Sequence, residues 1–134
     1  MNAKFIDTNI VVYLFSGDEP EKRSKAENIV EADNLIISTQ VLNEFANVMF
    51  RKFKLSPKEV SSACKELTLN FDIVTVNPST IFNAIKLKER YGFSYFDSAI
   101  LSSAIEAGCD TLYSEDLQHG QTIENQLRII NPFI

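Results

Sequence analysis

Short apolar runs alternate with amphipathic stretches along this chain. Residues 3–6 form the first run, which ends abruptly in the carboxylate of Asp7. Its length and its β-branched and aromatic content predict a buried strand. Residues 8–15 then predict a short helix ending near Ser16-Gly17, and Asp18-Glu19-Pro20 a turn. A second helix is predicted over 21–32. Its apolar positions Ala26, Ile29, Val30 and Ala32 are sparse, which leaves it largely solvated. Residues 35–37 predict a second buried strand. Ser38 or Thr39 caps the next helix, which carries Val41, Leu42, Phe45, Val48, Met49 and Phe53 at spacings of three and four.

Ser56-Pro57-Lys58-Glu59 is a helix start, with Ser as cap, Pro at the first position and Glu three after the cap. That helix is predicted to run to about Leu69, and residues 72–76 to form a third strand. Another helix follows Asn77-Pro78 and ends near Tyr91-Gly92, and Ser94 opens one more through Glu106, which Gly108 terminates. Residues 111–113 predict a fourth strand, 114–120 a loop at its carboxyl end, and 127–130 a last strand. Strands alternating with helices predict an α/β fold: a parallel β-sheet flanked by helices on both faces. No internal repeat is visible, and 134 residues suit a single domain over 1–134 with one core.

Charge and composition narrow the chemistry. The net charge of −5 is the wrong sign for gripping nucleic acid by bulk charge alone, although metal ions neutralise acidic sites and basic patches are local. Cys64 and Cys109 form no CxxC motif, so free thiols with packing roles in a reducing compartment are expected. One His and two Cys argue against a zinc site of the usual nitrogen and sulfur type. Asp7 interrupts the first apolar stretch, so no signal peptide is expected, and no apolar run approaches the ~18 residues of a membrane span. A cytoplasmic protein without a membrane partner is the expectation.

Four carboxylates stand out by position. Asp7 and Asp116 fall just after strands, at the edge of a parallel sheet where ligands bind. Glu44 sits beside the apolar stripe of its helix with no basic residue at i±3 or i±4, so it either faces solvent or needs a partner from elsewhere. Asp97 lies in the first turn of its helix, in a Ser-x-x-Asp pattern close to a capping box. Asp7 equally suits the cap of the helix that follows it, and the two roles are compatible. Glu44 and Asp97 join the other two only where their helices pack near that sheet edge.

Phe-Ile-Asp-Thr-Asn-Ile around Asp7, Val-Leu-Asn-Glu-Phe around Glu44, Tyr-Phe-Asp-Ser-Ala-Ile around Asp97 and Ser114-Glu115-Asp116 together resemble the PIN-domain ribonucleases. More narrowly, the chain resembles the VapC-type toxin half of VapBC toxin–antitoxin pairs, from Phe5 to Ile130, with Tyr-Ser-Glu-Asp-Leu-Gln-His-Gly the most distinctive piece. The resemblance implies a three-layer α/β/α fold and an endoribonuclease dependent on Mg²⁺ or Mn²⁺. Such ions prefer carboxylate and water oxygens, acidify a bound water and relieve charge on the phosphate. It implies that Asp7 and Asp97 bind the ion, that Glu44 and Asp116 bind a second ion or hold and deprotonate the attacking water, and that Asn9 and Ser114 orient carboxylates. It further implies products with a 5′-phosphate and a 3′-hydroxyl, a homodimer, and a silencing antitoxin whose tail lies in a groove.

Phe15, Phe50 and Phe53 are candidates for that groove, with core burial the competing fate. Arg51-Lys52-Phe53-Lys54, Lys58, and Lys86, Lys88 and Arg90 either track an RNA backbone or form solvated helix faces. His119, alone in a loop, suits a surface position better than a catalytic acid. Competing folds fare worse. A haloacid-dehalogenase-like phosphatase needs a second Asp where Asn9 stands, and a receiver domain needs a phosphoacceptor Asp after the third strand and a Lys after the last. The non-enzyme alternative is an inactive PIN scaffold that binds RNA or a protein partner.

Overall fold

A computed structural model describes residues 3–32 and 34–134. The elements run β1 (Lys4–Ile6), α1 (Thr8–Phe15), α2 (Pro20–Ala32), β2 (Leu35–Ser38), α3 (Thr39–Arg51) and α4 (Pro57–Asn70). They continue with β3 (Asp72–Val74), α5 (Pro78–Tyr91), α6 (Tyr95–Glu106), β4 (Thr111–Tyr113), β5 (Thr122–Ile123) and β6 (Leu127–Ile130). The sheet order is β3-β2-β1-β4-β6-β5, and every pairing is parallel except β5 with β6.

From β1 the chain steps outward to β2 and β3, then crosses back past β1 to β4. Right-handed crossovers place α1–α4 on one face for the outward steps and α5 and α6 on the other for the return. The helix contacts follow this division: α1 packs on α2 and α3, α3 on α4, and α5 on α6. The result is a three-layer α/β/α fold, as the strand and helix alternation predicts. Phe5, Ile6, Ile37, Leu112 and Ile129 of the sheet are fully buried between the layers. Cys109 is also buried and Cys64 half-buried, and both thiols are free, with burial pushing Cys109 up to about 11.

Local chemistry explains the boundaries. Ser56 and Glu59 form the reciprocal capping box of α4. Gly92 closes α5 in the left-handed conformation at φ 79°, which glycine adopts without a Cβ clash. Pro20 occupies the first position of α2, one residue earlier than the sequence pattern places the start, because its missing N–H is harmless there. Only Ala26 of α2 is buried, in keeping with its sparse apolar face.

Two sequence expectations need correction. The third strand stops at Val74 rather than Val76, because the Val76 N–H donates to the Thr39 hydroxyl at 3.1 Å, out of the ladder. The segment after residue 120 holds a short antiparallel strand, β5, that the apolar pattern does not announce. It turns into β6 through Glu124 and Asn125, both at positive φ (53° and 54°), and Gln126 N–H closes the turn on Ile123 O at 3.1 Å. Two successive positive φ values are the signature of a primed hairpin turn, which usually announces itself with Asn-Gly or Asp-Gly.

Candidate active site

The order β2-β1-β4 makes β1 the strand at which the winding reverses, and ligands of open α/β sheets bind at that point, beyond the carboxyl ends of the strands. Asp7 ends β1 there, and Ser114, Glu115 and Asp116 end β4. A cavity of about 310 Å³ opens at this place and is lined by all four of the carboxylates singled out above, Asp7, Glu44, Asp97 and Asp116. α3 lies along it with Glu44, Asn47, Val48 and Arg51, and α6 contributes Phe96 and Ile100 beside Asp97.

Each acid is held by different chemistry. Asp7 is buried and caps α1: one carboxylate oxygen accepts from the Thr8 N–H at 2.7 Å, the other from the Ser114 hydroxyl at 2.9 Å. Its own N–H bonds Tyr113 O at 3.0 Å, which ties the end of β1 to the end of β4. Capping and facing the cavity are therefore simultaneous. Glu44 accepts from the Thr8 hydroxyl at 2.6 Å and from the Gln40 side-chain amide at 3.2 Å. The partner that Glu44 requires is thus a neutral hydroxyl from α1 and an amide one turn earlier on its own helix.

Asp116 is exposed at the mouth, where the Asn9 side-chain amide donates to it at 2.8 Å. Its N–H donates to the Ser114 hydroxyl at 3.2 Å, so that one hydroxyl fixes both Asp7 and the Asp116 backbone. Asp97 N–H donates to the Ser94 hydroxyl at 3.2 Å. The return bond of a capping box is absent, and the Asp97 carboxylate makes no hydrogen bond among the described residues. Gln40 also donates to Phe96 O at 3.1 Å, and this bond pins the start of α6 to α3 and brings Asp97 to the sheet edge.

The crowding has an electrostatic signature. Burial pushes the Asp7 carboxyl from its ordinary 3.8 up to about 6; the Thr8 and Ser114 hydrogen bonds oppose this, and the charges of Asp116 and Asp97 add to it. Asp116 is likewise raised, by loss of water first, then by Glu115 and Asp97, against the Asn9 hydrogen bond. Glu115, the neighbour of Asp116, has the opposite fate. It turns away to accept from Tyr13 Oη and from Lys22 Nζ at 2.9 Å, and Lys22 also sits over the Tyr13 and Phe133 rings.

Thr8, Gln40, Asn47 and Phe96 belong to this site without being singled out by the sequence, and Arg51 enters it from the basic run at residues 51–54. Gln40 carries the one available signal, an amide at i−4 from an unpartnered Glu. His119 does not line the cavity: it is exposed, and its Nδ1 accepts from Asn131 N–H at 2.9 Å. Lys86, Lys88 and Arg90 lie on α5 away from the acids, with Arg90 bound to Glu124 at 2.5 Å. Of the three groove candidates, Phe15 stacks edge-on against Phe45 and lines a separate cavity of about 330 Å³ with Leu14, Val30, Leu67 and Phe71. Phe50 and Phe53 do not line it.

A family model described as PIN domain matches residues 4–123. The fold is similar to that of a toxin from Mycobacterium tuberculosis, VapC20, described as cleaving the sarcin–ricin loop: the TM-score is 0.69 at 18% identity, over 83% of this chain and 88% of that one. A toxin–antitoxin complex from Klebsiella pneumoniae gives a TM-score of 0.74 at 21% identity, over 97% of this chain and 98% of that one. VapBC2 from Rickettsia felis, bound to a DNA fragment of its promoter, gives 0.67 at 22% identity, over 96% and 99%. At these identities the likeness is one of fold. No curated protein sequence matches the chain.

Proposed function

This chain belongs to the PIN domain family, and from that premise we propose that it is a metal-dependent endoribonuclease, the toxin of a type II toxin–antitoxin pair. One observation carries the reading: four carboxylates from four separate segments line a single open cavity at the reversal point of the sheet. The donor chemistry fits a hard cation, because the cavity is lined by four carboxylates and, among the described residues, by no His or Cys. Among the described residues no three His, Cys, Asp or Glu side chains are placed to hold a metal ion by themselves. Mg²⁺ would then rely on one or two of these carboxylates together with waters and substrate phosphates.

Asp7 and Asp97 would hold the ion, and Glu44 and Asp116 a second ion or the attacking water. When bound, the ion supplies an acidified water and charge relief at the phosphate. The chain's own contribution is orientation and proton transfer. The Thr8 N–H and Ser114 hydroxyl occupy one edge of Asp7 and fix its rotation. Thr8 and Gln40 aim Glu44, and Asn9 aims Asp116, either of which takes the proton of the attacking water. Breaking the P–O3′ bond, with a proton from solvent or from the same carboxyl going to the departing 3′ oxygen, would leave a 5′-phosphate and a 3′-hydroxyl.

Two relatives by fold are described as toxin–antitoxin assemblies, and this supports an antitoxin partner here. The cavity beside Phe15, apolar at its base with Arg23, Glu66 and Asn70 also in its lining, is the surface on which its tail would lie. Ile81, Phe82 and Ile85 leave an exposed apolar face on α5 that suits a second copy of the chain.

The test is cleavage of total cellular RNA by partner-free protein with Mg²⁺ or Mn²⁺, with excess chelator, and with Asp7→Ala and Asp97→Ala. Discrete fragments that disappear with chelator and in both variants are expected. Identical behaviour of wild type and folded variants under every metal tried overturns the catalytic assignment and leaves an RNA- or protein-binding scaffold.

A further inference from the structure

We propose that Arg51 and Phe96 are the substrate-gripping residues on either side of the carboxylates. Arg51 takes the phosphodiester next to the one that is cut, and Phe96 stacks on a base across the cavity. This rests on the ribonuclease reading and adds residues and a direction to it.

Among the described residues Arg51 is the one cation in the cavity lining. It is exposed, and among the described residues it makes no ion pair or side-chain hydrogen bond, although four carboxylates share the cavity. Other cations near carboxylates are committed: Lys4 to Asp110, Lys22 to Glu115, Arg90 to Glu124, and Lys52 lies 3.8 Å from Asp18. A guanidinium that stays free beside four acids is available to an anion, and its planar fork matches a phosphate.

Position on α3 decides which phosphate. Glu44, Asn47 and Arg51 lie at i, i+3 and i+7 on one helix face. Seven residues advance about 10 Å along the axis, which carries the guanidinium's anchor point well beyond the group held at the acids. The other rim is aromatic. Phe96 is 66% exposed and lines the same cavity, next to Gln40 at the beginning of α3, whereas Arg51 lies in its last turn. An exposed ring at one end and a free cation at the other is the pairing that binds a single strand, with the ring stacking on a base and the cation tracking the backbone. An RNA strand therefore lies along α3 with the scissile bond between the two.

The experiment measures binding of a short single-stranded RNA to Asp97→Asn protein, which suppresses cleavage, over a range of salt concentrations. Adding Arg51→Ala lowers affinity and reduces the slope of log K against log salt by about 0.7, the loss of one single-strand phosphate contact. Arg51→Lys keeps the slope. Phe96→Ala weakens binding about 5- to 150-fold at unchanged slope, the range for one stacked base, and Phe96→Tyr restores it. In the cleaving protein Arg51→Ala raises KM and leaves kcat within about twofold, as removal of uniform binding does.

An unchanged salt slope in Arg51→Ala, or a fall in kcat at constant KM, overturns the proposal; the latter places the guanidinium on the scissile phosphate. Failure of the parent protein to bind RNA also overturns it. Cleavage with an unaltered slope leaves the nuclease standing without this subsite. Binding with the expected slopes but no cleavage by wild type leaves the subsite standing without the nuclease.

Discussion

Asp110, just before β4, meets Lys4 Nζ at 3.0 Å at the amino end of the sheet, whereas Asp7 and Asp116, at the carboxyl ends of the central strands, meet only hydroxyl, amide and backbone N–H groups. The same residue type on the same two strands is neutralised at one end and left charged and crowded at the other. Among the described residues no cation pairs with Asp7, and burial pushes the group up to about 6. The amino end is built for stability. The carboxyl end keeps its carboxylates crowded, and burial and their mutual repulsion raise Asp7 and Asp116.

The largest effect that sharpens this contrast is expected from Asp7→Asn. Asn still caps a helix, but it loses the charge that would hold an ion, so RNA cleavage by the purified variant should fall by more than the roughly 10- to 100-fold that losing a partner behind a metal ligand costs. Thermal unfolding of the metal-free variant at pH 7 should shift upward, because a buried charge has been removed. Unchanged cleavage by folded Asp7→Asn would break the assignment of that end of the sheet.

The next effect is on pH. Asp7 has a folded value near 6 and an ordinary value of 3.8, so the native state holds the extra proton between them. The stability tied to that proton is fully present below about pH 4 and is lost as pH rises through about 6. The difference is on the order of 3 kcal/mol for the metal-free protein. Denaturant titrations across this range should show the decline in wild type and a flatter profile in Asp7→Asn. Mg²⁺ or Mn²⁺ should restore stability at pH 7 and leave pH 4 unaffected, since a protonated carboxyl does not bind it.

A smaller change follows from Ser114→Ala, which removes the hydroxyl shared by Asp7 and the Asp116 N–H. A drop of about 10- to 100-fold in activity or metal affinity is expected for a group that orients a metal-binding carboxylate. Isothermal titration of metal into the variant reads it directly. Least affected is Lys4→Met at the opposite end. It should lower stability by about 0.5–1 kcal/mol, the range of a partly exposed pair, and leave the cleavage rate at wild-type level. A large activity loss in Lys4→Met would erase the distinction between the two ends.

Much of this arrangement is written in local sequence. The Ser56 and Glu59 capping box, the Gly92 terminus and the apolar runs of the central strands each follow from short-range rules, and with them the α/β alternation. The four carboxylates are visible as residues placed against pattern: an acid closing an apolar run, an acid beside an apolar stripe, an acid in a first turn. Their convergence is not local. It depends on Gln40 reaching Phe96 O across 56 positions and on Thr8 reaching Glu44 across 36. Thr8 reads as an ordinary first-turn residue, and Arg51 as part of a basic run in which Lys52 and Lys54 look equivalent. β5 escaped because its turn uses Glu-Asn at positive φ, residues that carry a weaker turn signal than Asn-Gly.

The Ser114–Asp7 hydrogen bond spans 107 positions. β1 pairs with β4 only after the chain has been made through Tyr113, and closing so long a loop is among the slower events of folding. During synthesis, the segment that carries Asp7 and Glu44 emerges long before Asp97 and Asp116 exist. A nascent chain at the ribosome therefore holds half of an acidic centre and no cavity. The cavity forms only after the segment that carries Asp116 has left the ribosome, and no earlier stretch of the chain holds it.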